Sequence, residues 1–201
     1  MTKGRRFVLL LTAAIAPLLL YLLLWPVPIS PQAWTPTAAP TLSGPYQQSS
    51  LLAGTERLSL GEGFAPEDVA VASDGRIYTG MDDGRIMRLQ ANGTRPEVLA
   101  NTHGRPLGLK FDSPGNLIVA DANKGLLSVA PDGSITVLTT ESDGIAFRCT
   151  NDLDIAADGT IYFTDASDKF PLSNYKADLL EMEGTADSLP TNQRRKPRGP
   201  S

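Results

Sequence analysis

The sequence predicts an all-β fold of the β-propeller type, preceded by an apolar helix. Hairpins of short apolar strands recur along the chain, and three of them turn at Gly75, Gly115 and Gly159, which are spaced 40 and 44 residues apart. A period of about 40–45 residues that starts each time with strand, turn and strand is typical of propeller blades. A generic β-meander or sandwich would also contain hairpins, but it would not repeat them in register with the same glycine.

An apolar leader occupies residues 1–25. Its charge-free stretch from Phe7 to Trp25 is 19 residues long, and as a helix with a rise of about 1.5 Å per residue it spans about 28 Å, close to the hydrocarbon thickness of a bilayer. We expect an uncleaved signal anchor that crosses the membrane once, because no small-x-small cleavage site follows the stretch. The basic residues Lys3, Arg5 and Arg6 then stay cytoplasmic, and the rest of the chain lies on the extracytoplasmic (periplasmic, extracellular or lumenal) side. The alternative is a cleavable signal peptide.

Two segments outside the repeat differ from it in composition. Residues 26–55 are rich in proline, which excludes a helix or a central strand and predicts an extended spacer between the membrane and the globular part. Residues 185–201 are basic and show no strand pattern, so we expect an aberrant, disordered tail. Its abrupt start suggests the hypothesis of a frameshift in the coding sequence. The alternative is a naturally short protein with a basic tail.

The propeller pattern fills residues 56–184. The first two units each continue with a second hairpin, built on GRIMRL and PEVLA in one and on GLLSV and SITVLTT in the other. The third unit stops after its first hairpin, near Asp165. The sequence therefore predicts a propeller truncated to about two and a half blades, which is fewer than a closed ring requires.

Composition narrows the classes of partner. The chain has one Cys and one His, which excludes an intramolecular disulfide framework and a zinc site built on paired histidines. The net charge is −4, and because the leader and the tail each carry +3, residues 7–184 carry −10. An acidic body argues against nucleic acid as a partner and suits metal ions or cationic ligands.

Acidic and amide side chains stand where two inner strands begin. Glu67 and Asp68 open the inner strand of the first unit, and Asn151 and Asp152 open that of the third. Inner strands begin beside the central channel, so these oxygens form a candidate cage for a hard cation such as calcium. The alternative is structural, because Asp and Asn at such positions often bond to the backbone of turns.

Several of these segments resemble one known family. PEDVAV from Pro66, RPLGL from Arg105 and NDLDIAADGTIYFTDASDKF from Asn151, together with the leader and its proline stretch, are similar to the strictosidine synthase-like and adipocyte plasma membrane-associated proteins. These are six-bladed propellers related to the paraoxonases and the gluconolactonase group. The resemblance implies that the intact protein is a calcium-dependent hydrolase of small esters or lactones. A non-catalytic propeller that binds a ligand or partner, or an inactive truncated product, is the alternative.

The same resemblance implies roles for individual residues. Glu67 and Asn151 would contact a catalytic calcium, and Asp68, Asp152 and the carbonyl of Leu109 would hold a structural calcium. A calcium exposed in the channel could polarise a carbonyl group and stabilise the oxyanion that forms when water attacks.

The sequence also departs from the related enzymes. The histidine pair of the paraoxonases would fall at Leu107 and Asp121, so Asp121 is only a weak candidate for a general base, and an aspartate at the end of a strand more often caps a turn. We expect His103 to lie exposed in a turn and Cys149 to be a packed strand residue. The glutamate of strictosidine synthase belongs to a later blade, so synthase activity itself has no catalytic support.

Overall fold

A computed structural model describes residues 3–25, 29–63 and 65–181. The leader forms one helix, α1 (Lys3–Leu24), which is exposed along its whole length. Its mean hydropathy is 2.6, and it is the one helix in the described ranges that is long and apolar enough to cross a membrane. Such a helix suits a membrane anchor or a signal sequence. The expected tail at residues 185–201 lies outside the described ranges.

Two complete blades and one further hairpin follow. Each complete blade is an antiparallel sheet whose four strands pair in chain order, and the third unit contributes a two-stranded sheet. The first blade contains β1 (Val69–Val71), β2 (Ile77–Gly80), β3 (Arg85–Leu89) and β4 (Glu97–Asn101). The second contains β5 (Pro106–Phe111), β6 (Leu117–Asp121), β7 (Gly125–Val129) and β8 (Ile135–Thr139). A short hairpin of β9 (Glu141–Ser142) and β10 (Ile145–Ala146) leads to β11 (Thr150–Ile155) and β12 (Ile161–Asp165). The predicted partial propeller is confirmed.

The repeated glycines make the repeated turns possible. Gly75, Gly115 and Gly159 have φ angles of 83°, 93° and 82°, in the left-handed region where a side chain is disfavoured. The N–H of each glycine also donates to the carbonyl three residues earlier, as Gly75 does to Ala72 at 2.9 Å. The repeat found in the sequence therefore corresponds to a turn conformation that recurs in each unit.

Blade 2 is packed on both faces. On one side Leu109, Val119 and Leu127 join Tyr78 and Ile86 of blade 1 in one apolar cluster. On the other side a second cluster contains Ile118, Ala120 and Leu126 of blade 2 together with Leu153 and Ile161 of the third hairpin. All five residues of β6 are buried, which explains why this strand is apolar at successive positions and does not alternate.

After the third hairpin, the chain folds back and contacts the beginning of the spacer. A short 3-10 turn (Leu172–Asn174) leads into helix α2 (Tyr175–Glu181). The backbone N–H of Gln32 donates to the carbonyl of Leu180 at 2.9 Å, and that of Ser30 donates to a carboxylate oxygen of Glu181 at 2.7 Å. The beginning of the spacer is therefore attached to the body at α2.

Candidate functional site

The inner strands β1, β5 and β11 lie side by side and bring the candidate residues to one region. β5 contacts β1 on one side and β11 on the other. Glu67 and Asp68 immediately precede β1, Leu109 lies within β5, and Asn151 and Asp152 lie near the start of β11. The propeller order thus unites residues that are more than 80 positions apart in the sequence.

Asp68 connects the first two blades. One carboxylate oxygen accepts a hydrogen bond of 2.7 Å from the N–H of Val69, and the other accepts one of 2.8 Å from the N–H of Leu109. The backbone carbonyl of Asp68 accepts a further bond of 2.7 Å from the hydroxyl of Thr79. Leu109 therefore presents its N–H to Asp68, whereas the resemblance assigns its carbonyl to a calcium ion.

Asp152 occupies the corresponding position in the third hairpin. Its Oδ1 accepts a 2.7 Å hydrogen bond from the N–H of Leu153, as Asp68 does from Val69. Gly108 of blade 2 lies directly against this segment, and a Cβ at Gly108 would stand 2.8 Å from the Cα of Asp152 and 2.9 Å from the carbonyl oxygen of Asn151. The two inner strands approach this closely because residue 108 has no side chain.

Negative charge accumulates where the inner strands begin. The pKa of the Glu67 carboxyl is raised above its ordinary value, first by partial burial and then by the neighbouring carboxylates of Asp68 and Asp152. The guanidinium of Arg105 acts in the opposite direction. The net effect of these groups on Glu67 is repulsion between carboxylates, which a divalent cation would relieve.

The oxygen donors suit calcium in chemical type, but they do not surround a ready-made site. The side chains of Glu67 and Asn151 make no hydrogen bond to a described residue, so they can turn towards an ion. Asp68 is less suited, because backbone N–H groups already occupy both of its oxygens. Within residues 3–25, 29–63 and 65–181 no three acidic, imidazole or thiol side chains converge closely enough to hold a metal ion.

Asp121 is a structural residue rather than an available base. It is fully buried at the end of β6. Oδ1 accepts hydrogen bonds of 2.9–3.0 Å from the N–H groups of Arg105, Asn123 and Lys124, and Oδ2 accepts one of 2.7 Å from the hydroxyl of Thr102. This burial and these four hydrogen bonds favour the turn-capping role of Asp121 over that of a general base.

Asp165 repeats this arrangement in the third hairpin, although the sequence analysis did not single it out. Its carboxylate accepts a hydrogen bond of 2.6 Å from the N–H of Cys149 and one of 3.0 Å from that of Arg148. Burial is the main cause that raises the pKa of Asp165. Asp121 and Asp165 both follow their turn glycine by six residues, so the repeat itself contained the signal.

The remaining candidates for nucleophilic or base chemistry are packed or remote. Leu107 and Cys149 are buried in one small cluster with Ala122, and burial raises the pKa of the Cys149 thiol. His103 is exposed in a turn at φ 53°. Cys149 is packed as expected, although it precedes β11 and is not part of a strand, and the exposed turn position expected for His103 is confirmed.

Comparison with known proteins gives a consistent family. Residues 44–89 match the family profile described as strictosidine synthase-like, N-terminal. Protein STRICTOSIDINE SYNTHASE-LIKE 4 of Arabidopsis thaliana is 42% identical over 149 residues, which cover 71% of this chain and 40% of that protein. Adipocyte plasma membrane-associated protein of Rattus norvegicus is 35% identical over 199 residues, which cover 90% of this chain and 52% of that protein.

A solved gluconolactonase from Xanthomonas campestris superposes with a TM-score of 0.48 and 23% identity, over 52% of this chain and 36% of that one. The chain spans about half the length, or less, of the curated relatives described above. The repeated blades, the apolar N-terminal helix and the matching sequences agree: the chain belongs to the strictosidine synthase-like family.

Proposed function

We propose that the whole protein is a membrane-anchored propeller that hydrolyses small esters or lactones with the help of calcium. The observation that carries this proposal is that the packing of β5 against both β1 and β11 brings Glu67, Asp68 and Asp152 into one region, where the carboxylates raise the pKa of Glu67. A region of concentrated negative charge with uncommitted oxygen donors favours a divalent cation.

The residues of this chain would have different roles at the site. Glu67 and Asn151 would supply a carboxylate and an amide oxygen to the ion from two different blades, and Asp152 would add a second carboxylate. Asp68 would keep β1 against β5, so that Glu67 stays beside the channel. A bound calcium would supply Lewis acidity that polarises the carbonyl of the substrate and stabilises the oxyanion.

The proposed location follows from α1. An uncleaved helix of this length and apolarity would anchor the protein once, with Lys3, Arg5 and Arg6 on the cytoplasmic side and the propeller on the other. A small ester or lactone would then reach the channel from the extracytoplasmic compartment. Cleavage of the leader as a signal sequence is the outcome that would contradict this location.

A second function is favoured by a specific observation. Asp121 and Leu107, which stand where the resemblance places the histidine pair, are both buried, and Asp121 is fully hydrogen-bonded. A propeller without an accessible base at these positions is suited to binding a ligand or partner without converting it chemically. The calcium site and the catalytic role therefore need separate tests.

Calcium binding is tested first on the 201-residue chain in detergent. Calcium that binds only the folded state raises the melting temperature in a concentration-dependent way. We expect the rise to be lost in Glu67→Gln and kept in Glu62→Gln, a nearby exposed carboxylate outside the inner-strand region. No shift with calcium, or an equal shift in both variants, would contradict the site.

Hydrolysis is tested on the full-length protein with an aryl ester and an aliphatic lactone. The calcium-dependent hydrolase requires a rate that a chelator abolishes, that added calcium restores, and that Glu67→Gln reduces. Bound calcium without turnover would instead favour the binding propeller. A rate that is unaffected by chelation would contradict the calcium mechanism.

A further inference from the structure

We infer that helix α2 is a second membrane contact, whose outward face rests on the lipid headgroups beside the anchor. This inference depends on the anchor of the proposed function, but not on the calcium site or on hydrolysis. It concerns the short helix after the third hairpin, which lies outside the blades.

On the surface of a water-soluble protein, a helix usually buries its apolar side chains and exposes its charged ones. Helix α2 does the opposite at several positions. Its buried face contains Ala177 and Glu181, and its solvent-facing side contains Tyr175, Leu179 and Leu180, with 50%, 68% and 51% of their surfaces exposed. Tyr175 and Leu179 are four residues apart and so lie one above the other on the same face. The helix buries a carboxylate and leaves its leucines uncovered.

The exposed side has the composition of a helix at a membrane interface. Leucine enters the boundary of the acyl region, tyrosine settles at the level of the headgroups, and lysine pairs with lipid phosphate. Lys176 is exposed next to Tyr175 and supplies the basic group. A lipid surface matches this combination because one short face offers two leucines, one tyrosine and one cation.

The position of α2 relative to the anchor supports a lipid surface as the occupant. Helix α1 ends at Leu24, and Ser30, six residues later, already donates a 2.7 Å hydrogen bond to Glu181 in the last turn of α2. Six residues reach at most about 20 Å when fully extended. The headgroup layer on one side of a bilayer is about 5–8 Å thick, and a helix with its side chains is about 10–12 Å across. The first residues of the spacer, between α1 and Ser30, therefore keep α2 within reach of the headgroups.

The beginning of the spacer is attached to α2 by more than one contact. Gln32 donates from its backbone to the carbonyl of Leu180, and the second carboxylate oxygen of Glu181 pairs with the ammonium of Lys169. Glu181 is only 1% exposed, so its carboxylate is held between the beginning of the spacer and the loop before α2. Movement of α2 away from the membrane would have to break this buried attachment.

Depth-dependent fluorescence quenching tests the inference on the full chain in phosphatidylcholine vesicles. A single cysteine carrying an environment-sensitive fluorophore is placed at residue 179 by Leu179→Cys, and nitroxide-labelled lipids act as quenchers. Matched probes are Leu20→Cys within α1 and Val137→Cys on β8, where the parent valine is 57% exposed. Cys149 is kept because its burial protects it from labelling, which the parent chain verifies.

We expect strong quenching at residues 20 and 179 and several-fold weaker quenching at 137. Quenching at 20 but not at 179 would overturn the α2 contact and leave the anchor intact. A fluorophore at 179 that is shielded from water but not quenched would also overturn it, because protein would then cover the face. Absence of quenching at 20 would refute the anchor and, with it, this inference.

A second pair of variants tests the attachment of the spacer to α2. Ser30→Pro removes the backbone N–H that bonds to Glu181, whereas Ser30→Ala keeps it. In the Leu179→Cys background we expect the proline to reduce quenching several-fold and the alanine to leave it unchanged. Equal quenching in both would show that the beginning of the spacer does not position α2 and would contradict that part of the inference.

Discussion

The carboxylate of Asp68 accepts a 2.8 Å hydrogen bond from the backbone N–H of Leu109, and this bond joins the inner strands of two neighbouring blades. Asp152 reproduces the local half of the arrangement by accepting from its own neighbour, Leu153. In each pair that opens an inner strand, the second residue is thus bonded to backbone. The side chain of the first residue, Glu67 or Asn151, makes no hydrogen bond within the described part of the chain and is therefore available to a ligand.

Removal of the Asp68 carboxylate should weaken the contact between blades. Asp68→Ala leaves the N–H groups of Val69 and Leu109 without their partner, and we expect a loss of about 1–3 kcal/mol of unfolding free energy. Urea denaturation without calcium measures it. Glu67→Gln is the matched control, because it removes a neighbouring carboxylate that makes no hydrogen bond to any residue the structure describes. A loss of stability in the control equal to that in Asp68→Ala would contradict the role of the interblade bond.

Replacement of Asp121 should damage the fold rather than activity alone. Asp121→Ala removes the acceptor of four hydrogen bonds and leaves the N–H groups of Arg105 and Asn123 without the carboxylate that they bond, so we expect a loss of about 3 kcal/mol or more. Asp121→Asn retains one carbonyl oxygen and should cost less. Thermal unfolding followed by circular dichroism compares the two. If Asp121→Ala melted like the parent chain but lost only activity, the structural assignment of Asp121 would be wrong.

A methyl group at Gly108 should force apart the second blade and the third hairpin. The added Cβ would meet backbone atoms of Asn151 and Asp152 at less than 3.0 Å. Such overpacking costs about 1–3 kcal/mol. Gly54→Ala is the control, because nothing lies within 4 Å of the added carbon there. Equal stabilities of the two variants in chemical denaturation would argue against close packing at Gly108.

Acid should release the spacer from α2. The ammonium of Lys169 holds the pKa of the Glu181 carboxyl below its ordinary value of 4.5, and the N–H of Ser30 acts in the same direction. The folded state therefore favours the ionised form: its stabilisation is complete above the ordinary pKa and is lost as pH falls through the lower folded value.

Hydrogen exchange at the Ser30 amide, corrected for its intrinsic pH dependence, measures this release. Protection should be constant at neutral pH and decline below the ordinary pKa of Glu181. In Glu181→Gln the amide should be less protected at neutral pH and should show little acid dependence, whereas Glu141→Gln, an exposed carboxylate on β9, should behave as the parent. Protection that persists unchanged into strong acid in the parent chain would contradict this assignment.

The sequence by itself determined the elements that depend on local physics. The spacing of Gly75, Gly115 and Gly159 predicted the blades, because a turn with positive φ needs glycine at the same place in every unit. The charge-free run of the leader predicted α1 from length and apolarity alone. The same repeat predicted that Glu67 and Asn151 stand at the starts of two inner strands, β1 and β11.

Only the tertiary structure decided what each acidic side chain contacts. Asp121 and Asp165 cap turns, Asp68 joins two blades, and the side chain of Glu67 bonds to none of the described residues, although all four are acidic residues near the start or end of a strand. Most of their partners are backbone N–H groups, which every residue type except proline offers, so apart from the shared spacing of Asp121 and Asp165 from their turn glycines the sequence does not predict these contacts. The attachment of Ser30 to Glu181 joins residues 151 positions apart, and such a contact exists only once the blades have packed and brought the two segments together.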